Sequence, residues 1–416
     1  MIDTGGKIYG LVGRKLGHSY SARIHEMLGN SLYSLYELEP EQLGEFVRRR
    51  DIGALNVTIP YKIDVMAHLD VISPEAESIG SVNTVVNRGG RLYGYNTDLF
   101  GFDYTLRRSG ISLSGKKVLI FGSGGSSQTV RACAKSAGAS QIVIISRSGP
   151  DNYGNLDRHK DAQILINTTP VGMYPEPDEM PFDPAFFPSC EGVADLIYNP
   201  LRTNLLLRAR ELGLPCAGGL PMLVAQAVKA HEHFFDISVP DDEIEKVLSS
   251  LARSVENIVL VGMPGCGKST TGRSLGKRTG RKVLDTDEMV ERSAGKSIPD
   301  IFAQAGEAEF RAMEKKAVAE AGMRSGAIIV TGGGVVKNIE NLAPLRRNGR
   351  IYMLDRPIEQ LARKGRPLSE NADLHALAAE RLPLYLKFAD ATVPVSGSPE
   401  QVAAKILEDF NENSGC

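Results

Sequence analysis

The chain has 416 residues, enough for two or three domains, and its 42% hydrophobic and 24% charged residues are typical of a globular protein with a full core. A formal net charge of −2 and the absence of any apolar run of about eighteen residues argue against a nucleic-acid-binding or membrane-spanning chain. The five cysteines form no Cys-x-x-Cys pair and the chain has no secretory start, so we expect a cytoplasmic protein with reduced thiols and no structural zinc.

The first predicted element is a buried strand, residues 7–13, which leads into a helix entered through Ser19 and Ser21. A serine at this position commonly caps the helix, although two hydroxyls one residue apart can also bind a carboxylate. A second strand within residues 54–62 ends at Pro60. Lys62 follows it, where a lysine is usually a solvated surface charge.

Residues 81–98 contain two strand patterns separated by Arg-Gly-Gly, which predicts a hairpin. The polar residues Asn83, Asn96, Thr97 and Asp98 fall at strand ends, where α/β proteins place ligand-binding groups.

The blocks HSYSARIH, NVTIPYK, GSVNTVV and GYNTD resemble, in order and spacing, the signature blocks of shikimate dehydrogenases. The resemblance implies that Lys62 pairs with Asp98 at the catalytic centre. It also implies a substrate pocket formed by Ser19, Ser21, Thr58 and Asn83. One departure is Lys15 in GRKLGHS, where the family usually has proline.

The implied Lys62–Asp98 pair suits the reduction of a ketone. Such a reduction adds hydride to carbon and a proton to oxygen. A cation beside the oxygen stabilises the developing charge and can deliver the proton.

Residues 116–148 read as strand, glycine turn, helix and strand, with Gly122, Gly124 and Gly125 in the turn. This pattern predicts a Rossmann-like dinucleotide-binding domain. The second strand ends in Ser146-Arg147-Ser148 without the acid that binds the ribose of NAD. Because Arg147 can meet a 2′-phosphate through charge-assisted bonds, we predict NADP as the cofactor.

Residues 149–163 are short and contain Gly and Pro, so we expect the crossover helix there to be lost or shortened. The blocks ILINTTPVGMYP, VADLIYNPLRTNLL and GGLPMLVAQAVKAHEHF continue the resemblance to residue 235. By position they imply cofactor contacts from Asn167, Met173, Ile197, Gly219 and Met222, and substrate contacts from Tyr198 and Gln226. Met222 also fits plain core packing.

The stretch GMPGCGKST, residues 262–270, follows an apolar run and precedes a helical pattern. Strand, glycine loop and helix are the context in which this motif holds nucleotide phosphates on backbone N–H groups. Lys268 would reach the β- and γ-phosphates, and Ser269 would ligate Mg²⁺. The predicted phosphate-binding residues are Gly262, Gly265, Cys266, Gly267, Lys268, Ser269 and Thr270.

Two acids, Asp285 and Asp287, flank Thr286 at a strand end. Acids there can position Mg²⁺ and accept a proton from a substrate hydroxyl. A helix N-cap followed by a first-turn acid explains the spacing equally well.

The blocks LDTD, EFR, GGG, RPL and RLPLY, in this order, resemble shikimate kinase. The resemblance implies that Asp287 polarises the acceptor hydroxyl and that Asp285 supports the metal. The remaining implied residues are Arg311 and Arg381 on the shikimate carboxylate, Gly333 and Gly334 beside it, and Arg366 on the transferring phosphoryl group. The lid is shorter than is usual, so Arg363 and Lys364 are only candidates for contacts with adenine.

Cys266 lies inside the predicted phosphate loop. Converging N–H groups and a lysine activate a thiol in such a place, which predicts inhibition of the kinase by thiol reagents. A small residue that is merely tolerated there is the alternative.

We therefore expect an α/β protein with a substrate domain at 1–101, closed by helices near 219–235, and a Rossmann-like NADP domain at 102–218. A linker at 236–255 would lead to a P-loop domain at 256–416, with a parallel sheet of the nucleoside monophosphate kinase type. The expected enzyme is bifunctional, reducing 3-dehydroshikimate with NADPH and phosphorylating shikimate with ATP and Mg²⁺. We expect a monomer or homodimer acting on small molecules.

Two alternatives stay open from the sequence. One is a quinate- or shikimate-type dehydrogenase fused to a small-molecule kinase. The other is a nucleotide-binding regulatory protein with inactive sites.

Overall fold

The structure, a computed structural model, describes residues 6–17, 19–362 and 373–414. The chain forms two compact units. One consists of Met1–Tyr198 and Thr203–Leu248, and the other of Asn199–Arg202 and Ser249–Cys416. None of the helices in the described ranges is both long and apolar enough to cross a membrane.

The first sheet of unit 1 has six strands among the described residues, in the order β2-β1-β3-β5-β6-β4. The strands are β1 Ile8–Gly13, β2 Tyr33–Glu37, β3 Ile52–Val57, β4 Val71–Ile72, β5 Thr84–Arg88 and β6 Arg91–Tyr95. β1 pairs in parallel with β2 and β3, whereas β5 is antiparallel to β3 and β6. The hairpin predicted within residues 81–98 is confirmed as β5–β6, with Gly89 and Gly90 at positive φ in its turn.

Four helices accompany this sheet: α1 Ser21–Met27, α2 Leu43–Val47, α3 Pro74–Ile79 and α4 Asp98–Arg108. All six residues of β3 are buried, so the strand forms the centre of the hydrophobic core. The carboxyl ends of β1 and β3 lie side by side, and the loops that follow them carry candidate site residues.

The second sheet of unit 1 has five parallel strands in the described part of the chain, in the order β11-β10-β9-β7-β8. They are β7 Lys117–Phe121, β8 Gln141–Ile145, β9 Ile164–Asn167, β10 Gly192–Asp195 and β11 Cys216–Ala217, with helices α5 Gly125–Ser136 and α6 Asn204–Glu211. A 3₁₀ helix, Tyr153–His159, replaces an α-helix between β8 and β9. The expectation of a shortened crossover is confirmed.

Helix α7, Gly219–Phe235, packs against α4. A Cβ atom on Gly101 of α4 would lie 2.6 Å from the carbonyl oxygen of Met222, so the missing side chain permits the close approach. This packing brings the first turns of α4 and α7 together beside the first sheet.

Residues 236–255, predicted to be a linker, are helical over α8, Asp241–Val255. Ile244, Val247, Leu251 and Val255 are at most 3% exposed. Because these residues recur every three or four positions, they give the helix an apolar face that is buried rather than solvated.

Unit 2 contains a sheet of five parallel strands among its described residues, in the order β13-β14-β12-β15-β16. The strands are β12 Asn257–Val261, β13 Val283–Asp285, β14 Ile328–Val330, β15 Gly349–Asp355 and β16 Ala391–Pro394. The helices are α9 Lys268–Thr279, α10 Thr286–Ala294, α11 Ile298–Gly322, α12 Leu342–Arg347, α13 Leu374–Phe388 and α14 Pro399–Asn413. The loops after β12, β13 and β14 meet at one edge of the sheet, which is where parallel sheets bind ligands.

Two candidate active sites

The centre of the first site is an ion pair between Lys62 and Asp98. Lys62 Nζ lies 2.5 Å from Asp98 Oδ2. Lys62 follows β3, and Asp98 is the first residue of α4. The two side chains are only 22% and 12% exposed, so the pair is shielded from much of the solvent. The pairing implied by the sequence is present, and Lys62 is not a solvated surface charge.

Asn83 holds the carboxylate of this pair in place. Its Nδ2 donates to Asp98 Oδ1 over 2.9 Å, and its Oδ1 accepts from the backbone N–H of Thr97 over 2.8 Å. Gln226 Oε1, from α7, lies 3.5 Å from the same Asn83 amide nitrogen. The side chain of Asp98 is therefore fixed by two neighbours, the lysine and the asparagine.

The pair lies in a cavity of about 360 Å³, a volume suited to a small ligand. The predicted residues that line this cavity are Ser19, Ser21, Thr58, Lys62, Asn83, Asp98, Tyr198, Gly219, Met222 and Gln226. Residues not predicted to line it include Lys15, Asn56 and Ser126.

Ser19 and Ser21 carry neighbouring hydroxyls, 3.1 Å apart, at the wall of this cavity. The N-cap of α1 is Tyr20, so the interpretation of either serine as the N-cap is wrong. Of the two sequence interpretations, the geometry favours the ligand-binding one.

The glycine turn after β7 leads directly into α5. Gly122 has a φ of 113°, and a Cβ there would lie 2.5 Å from Thr168 Oγ1, so only glycine fits. Gly124 is the N-cap of α5, and Gly125 is its first residue. Ser146 and the exposed Arg147 follow β8, the neighbour of β7 in the sheet. The five predicted residues therefore lie at the carboxyl ends of adjacent strands.

Three other predicted cofactor residues do not line the described cavity. The Asn167 side chain is buried; its Nδ2 donates to Asp195 Oδ1 over 3.0 Å, and its Oδ1 accepts from Thr169. Ile197 is 5% exposed and donates its backbone N–H to the same carboxylate. Met173 is 44% exposed. Thr203 Oγ1 also donates to Asp195 over 2.6 Å. Burial raises the pKa of Asp195 to about 6, and its three hydrogen bonds oppose that shift, so the carboxylate is a structural centre.

The second site begins with the glycine loop between β12 and α9. Gly262, Gly265 and Gly267 have φ values of 140°, 85° and 107°, a backbone conformation that other residues rarely adopt. Lys268 Nζ donates to the carbonyl oxygens of Gly262 and Met263 over 2.8 and 3.1 Å. The loop is thus curled around the ammonium group at the start of a helix.

Asp285 and Asp287 face this loop from the end of β13. Ser269 Oγ donates to Asp285 Oδ2 over 3.2 Å. Asp285 is also the N-cap of α10 and accepts from the backbone N–H of Asp287 over 3.1 Å, so the capping interpretation is confirmed and the metal-binding one stays a prediction. Burial, and then the charge of Asp285, raise the pKa of Asp287 to about 6.

The triple glycine after β14 lets two charged side chains lie against the backbone. A Cβ on Gly332 would be 2.4 Å from Asp287 Oδ1, and one on Gly334 would be 2.4 Å from Arg311 Nη1. Arg381 Nη1 donates to the carbonyl oxygen of Gly333 over 3.0 Å. These groups converge because no side chain occupies the space above the loop.

A cavity of about 770 Å³ joins the glycine loop to these residues. The predicted residues on its wall are Gly265, Gly267, Lys268, Ser269, Asp285, Asp287, Arg311, Gly333, Gly334 and Arg381. Arg366, predicted to stabilise the phosphoryl group, lies within 363–372, outside the described residues, as do Arg363 and Lys364.

Comparisons with known proteins match the two units to different families. Residues 11–85 match the model of the shikimate dehydrogenase substrate binding domain, and residues 264–411 match that of shikimate kinase. A shikimate dehydrogenase (NADP(+)) of Clostridium beijerinckii is 38% identical over 245 residues, covering 54% of this chain and 91% of the relative. The chain belongs to the shikimate dehydrogenase family. Since it also carries a shikimate kinase domain, it is a fusion of the two.

Solved structures of shikimate dehydrogenases resemble the same part of the chain. A chorismate mutase/shikimate 5-dehydrogenase fusion protein from Clostridium acetobutylicum is 37% identical with a TM-score of 0.56, covering 59% of this chain and 96% of that one. Shikimate 5-dehydrogenase from Thermus thermophilus, in complex with NADP(H) and shikimate, is 32% identical with a TM-score of 0.53, covering 59% of this chain and 99% of that one.

Asn56, in the dehydrogenase site, was missed by sequence reasoning. It is 5% exposed, accepts from Tyr33 Oη over 2.8 Å, and donates to Thr84 Oγ1 over 3.3 Å. A polar residue in the otherwise apolar strand β3 was the available signal.

In the kinase site the missed residue is Glu314, which is 1% exposed and pairs with Arg311. Burial raises its pKa, and the Arg311 charge opposes that shift. Its position three residues after Arg311 on one helix was the available signal.

The burial of Cys266 counts against the prediction of a reactive thiol, since a reactive thiol must be accessible. The side chain is 0% exposed and belongs to the hydrophobic core of unit 2. Its Sγ points at Gly262, where an added Cβ would meet it at 3.1 Å. The alternative, a small residue that fits beneath the loop, agrees with the geometry.

Proposed function

We propose that unit 1 reduces 3-dehydroshikimate to shikimate with NADPH, and that unit 2 phosphorylates the 3-hydroxyl of shikimate with ATP. The observation that carries the proposal is the shielded Lys62–Asp98 pair, 2.5 Å long, on a chain whose other unit matches shikimate kinase. The product of the first reaction is the substrate of the second, so each assignment supports the other.

In the reductase, the Lys62 ammonium lies at the ketone oxygen, stabilises the negative charge that develops there and donates the proton. Asp98 holds the lysine side chain in place, and Asn83 fixes Asp98. Ser19 and Ser21 bind the substrate carboxylate. Thr58, Tyr198 and Gln226 bind the rest of the ring.

NADPH supplies the hydride when bound. Gly122, Gly124 and Gly125 would hold its pyrophosphate at the start of α5, where backbone N–H groups and the helix dipole favour an anion. Ser146 and Arg147 hold the 2′-phosphate. The residues on the nicotinamide side would be Asn167, Met173, Ile197, Gly219 and Met222. Asn167 and Ile197 would act through their backbone, which their hydrogen bonds to Asp195 hold in place.

In the kinase, Asp287 accepts the proton of the substrate hydroxyl, and Arg311 and Arg381 bind the carboxylate in the cavity beside Gly333 and Gly334. Lys268 exchanges its loop carbonyls for phosphate oxygens. The other phosphate contacts are backbone N–H groups of the loop, including those of Gly262, Gly265, Cys266, Gly267 and Thr270. The role of Arg366 stays a prediction.

The residues of the kinase site fit a magnesium ion. Ser269 and Asp285 provide a hydroxyl and a carboxylate beside the phosphate loop, 3.2 Å apart. The described residues contain no group of three His, Cys, Asp or Glu side chains that could hold a metal. Mg²⁺ is typically bound through one or two protein oxygens plus substrate phosphates, whose charge it neutralises.

One assay of the purified chain tests the function. NADPH oxidation with 3-dehydroshikimate and ADP release with shikimate are followed separately. Lys62→Met should abolish only the first activity, and Lys268→Met only the second. Wild-type protein that is inactive in both assays would favour the alternative of a nucleotide-binding regulatory protein with inactive sites. A preference for quinate over shikimate in the reverse reaction would reassign the first substrate.

A further inference from the structure

Lys15 stands on the loop between β1 and α1. Its side chain is exposed, and it lines the 360 Å³ dehydrogenase cavity together with Ser19, Ser21 and Lys62. Its exposed side chain therefore forms part of the wall of the dehydrogenase cavity.

The charges around this cavity make Lys15 distinctive. Of the residues that the structure describes, the charged ones that line the cavity are Lys15, Lys62 and Asp98. Lys62 and Asp98 neutralise each other across 2.5 Å. Among the described residues, Lys15 has no hydrogen bond or ion pair with an acid. Within the described part of the cavity wall, the uncompensated charge is thus that of Lys15.

The acids near the loop already have partners. Glu39 pairs with Arg14 over 3.0 Å, and Glu37 accepts from the backbone N–H of Leu16 over 2.6 Å. These two contacts anchor the loop on either side of Lys15. They leave its ammonium group available to a ligand.

We propose that Lys15 binds the carboxylate of the dehydrogenase substrate and sets the preference of this pocket for an anionic over a neutral ring. The inference rests on the proposed reduction of 3-dehydroshikimate, which is a monocarboxylate. The carboxylate does not change during hydride transfer, so the contact acts equally in the ground state and the transition state. It lowers KM and leaves kcat unchanged.

The test compares Lys15→Met, Lys15→Arg and wild type in the full chain. Lys15→Met should raise KM for 3-dehydroshikimate about fivefold at low salt, with kcat and KM for NADPH unchanged. Salt should shrink the difference, because it screens an exposed charge. Lys15→Arg should restore most of the affinity. Arg14→Met is the matched control, since Arg14 is exposed, adjacent and paired with Glu39.

The methyl ester of shikimate keeps the ring but lacks the negative charge of the carboxylate. Its oxidation with NADP⁺ therefore tests whether Lys15 recognises that charge. Its KM should be equal in wild type and Lys15→Met, whereas KM for shikimate should rise. Three results for Lys15→Met would each overturn the assignment: an unchanged KM for shikimate, an equal rise in KM for shikimate and its ester, or a rise in KM for NADPH alone. If wild type reduces no 3-dehydroshikimate, the proposed function itself fails and the assignment falls with it. If wild type is active, only the role of Lys15 is in question.

Discussion

Arg311 and Glu314 are joined within one turn of α11, where Arg311 Nη1 donates to Glu314 Oε2 over 2.8 Å. Glu314 is 1% exposed, and the guanidinium group lies over the backbone of Gly334. The buried acid therefore aims the arginine into the kinase cavity rather than towards solvent.

Glu314→Gln should weaken the binding of shikimate to the kinase. Loss of a charge-assisted bond frees Arg311, and we expect KM for shikimate to rise about tenfold with kcat little changed. Glu307→Gln is the matched control, because Glu307 also pairs with Arg311 but is 53% exposed. Equal effects of the two substitutions on KM would contradict the positioning role of Glu314.

The kinase should lose activity in mildly acidic solution. Asp287 accepts a proton only when ionised, and its pKa is raised to about 6 by burial. kcat/KM for shikimate should fall about tenfold per pH unit below about pH 6. Because this pKa is raised, any stability that protonated Asp287 contributes is present at low pH and is lost as pH rises through about 6. A flat profile between pH 5 and 7 would argue against Asp287 as the base.

Arg147→Ala should change the choice of cofactor. Removing a cation from the 2′-phosphate should raise KM for NADPH about tenfold to a hundredfold and leave KM for NADH unaffected. Arg107→Ala, an exposed arginine of α4 paired with Asp103, controls for loss of surface charge. Equal losses with both cofactors would refute the assignment of Arg147.

Thiol reagents should spare Cys266 in the native protein. The side chain is fully buried, whereas Cys190 and Cys216 are partly exposed. Peptide mapping after brief labelling should find Cys190 and Cys216 modified before Cys266, and the labelled protein should keep its kinase activity. Fast labelling of Cys266 that ATP prevents would show that the loop opens and would restore the original prediction.

Local features of the sequence were enough to predict the elements that depend on backbone geometry. The glycines at 122, 262, 265 and 267 were recognised because positive φ excludes most other residues. The hairpin β5–β6 and the order of strand, glycine loop and helix were predictable for the same reason. The blocks and their spacing led to many of the residues that line the two cavities but missed Asn56 and Glu314.

The sequence alone predicts the two nucleotide-binding loops, their order along the chain and the types of residue available to each site. It can do so because these features depend on backbone and charge patterns among residues that are close in sequence. Only the tertiary structure shows the burial of Cys266, the buried face of α8, and the closeness of Asn56 to Thr84 and of Lys15 to the dehydrogenase cavity. Burial and pairing depend on which distant segments pack together. That packing is a property of the whole fold and leaves no fixed spacing along the chain.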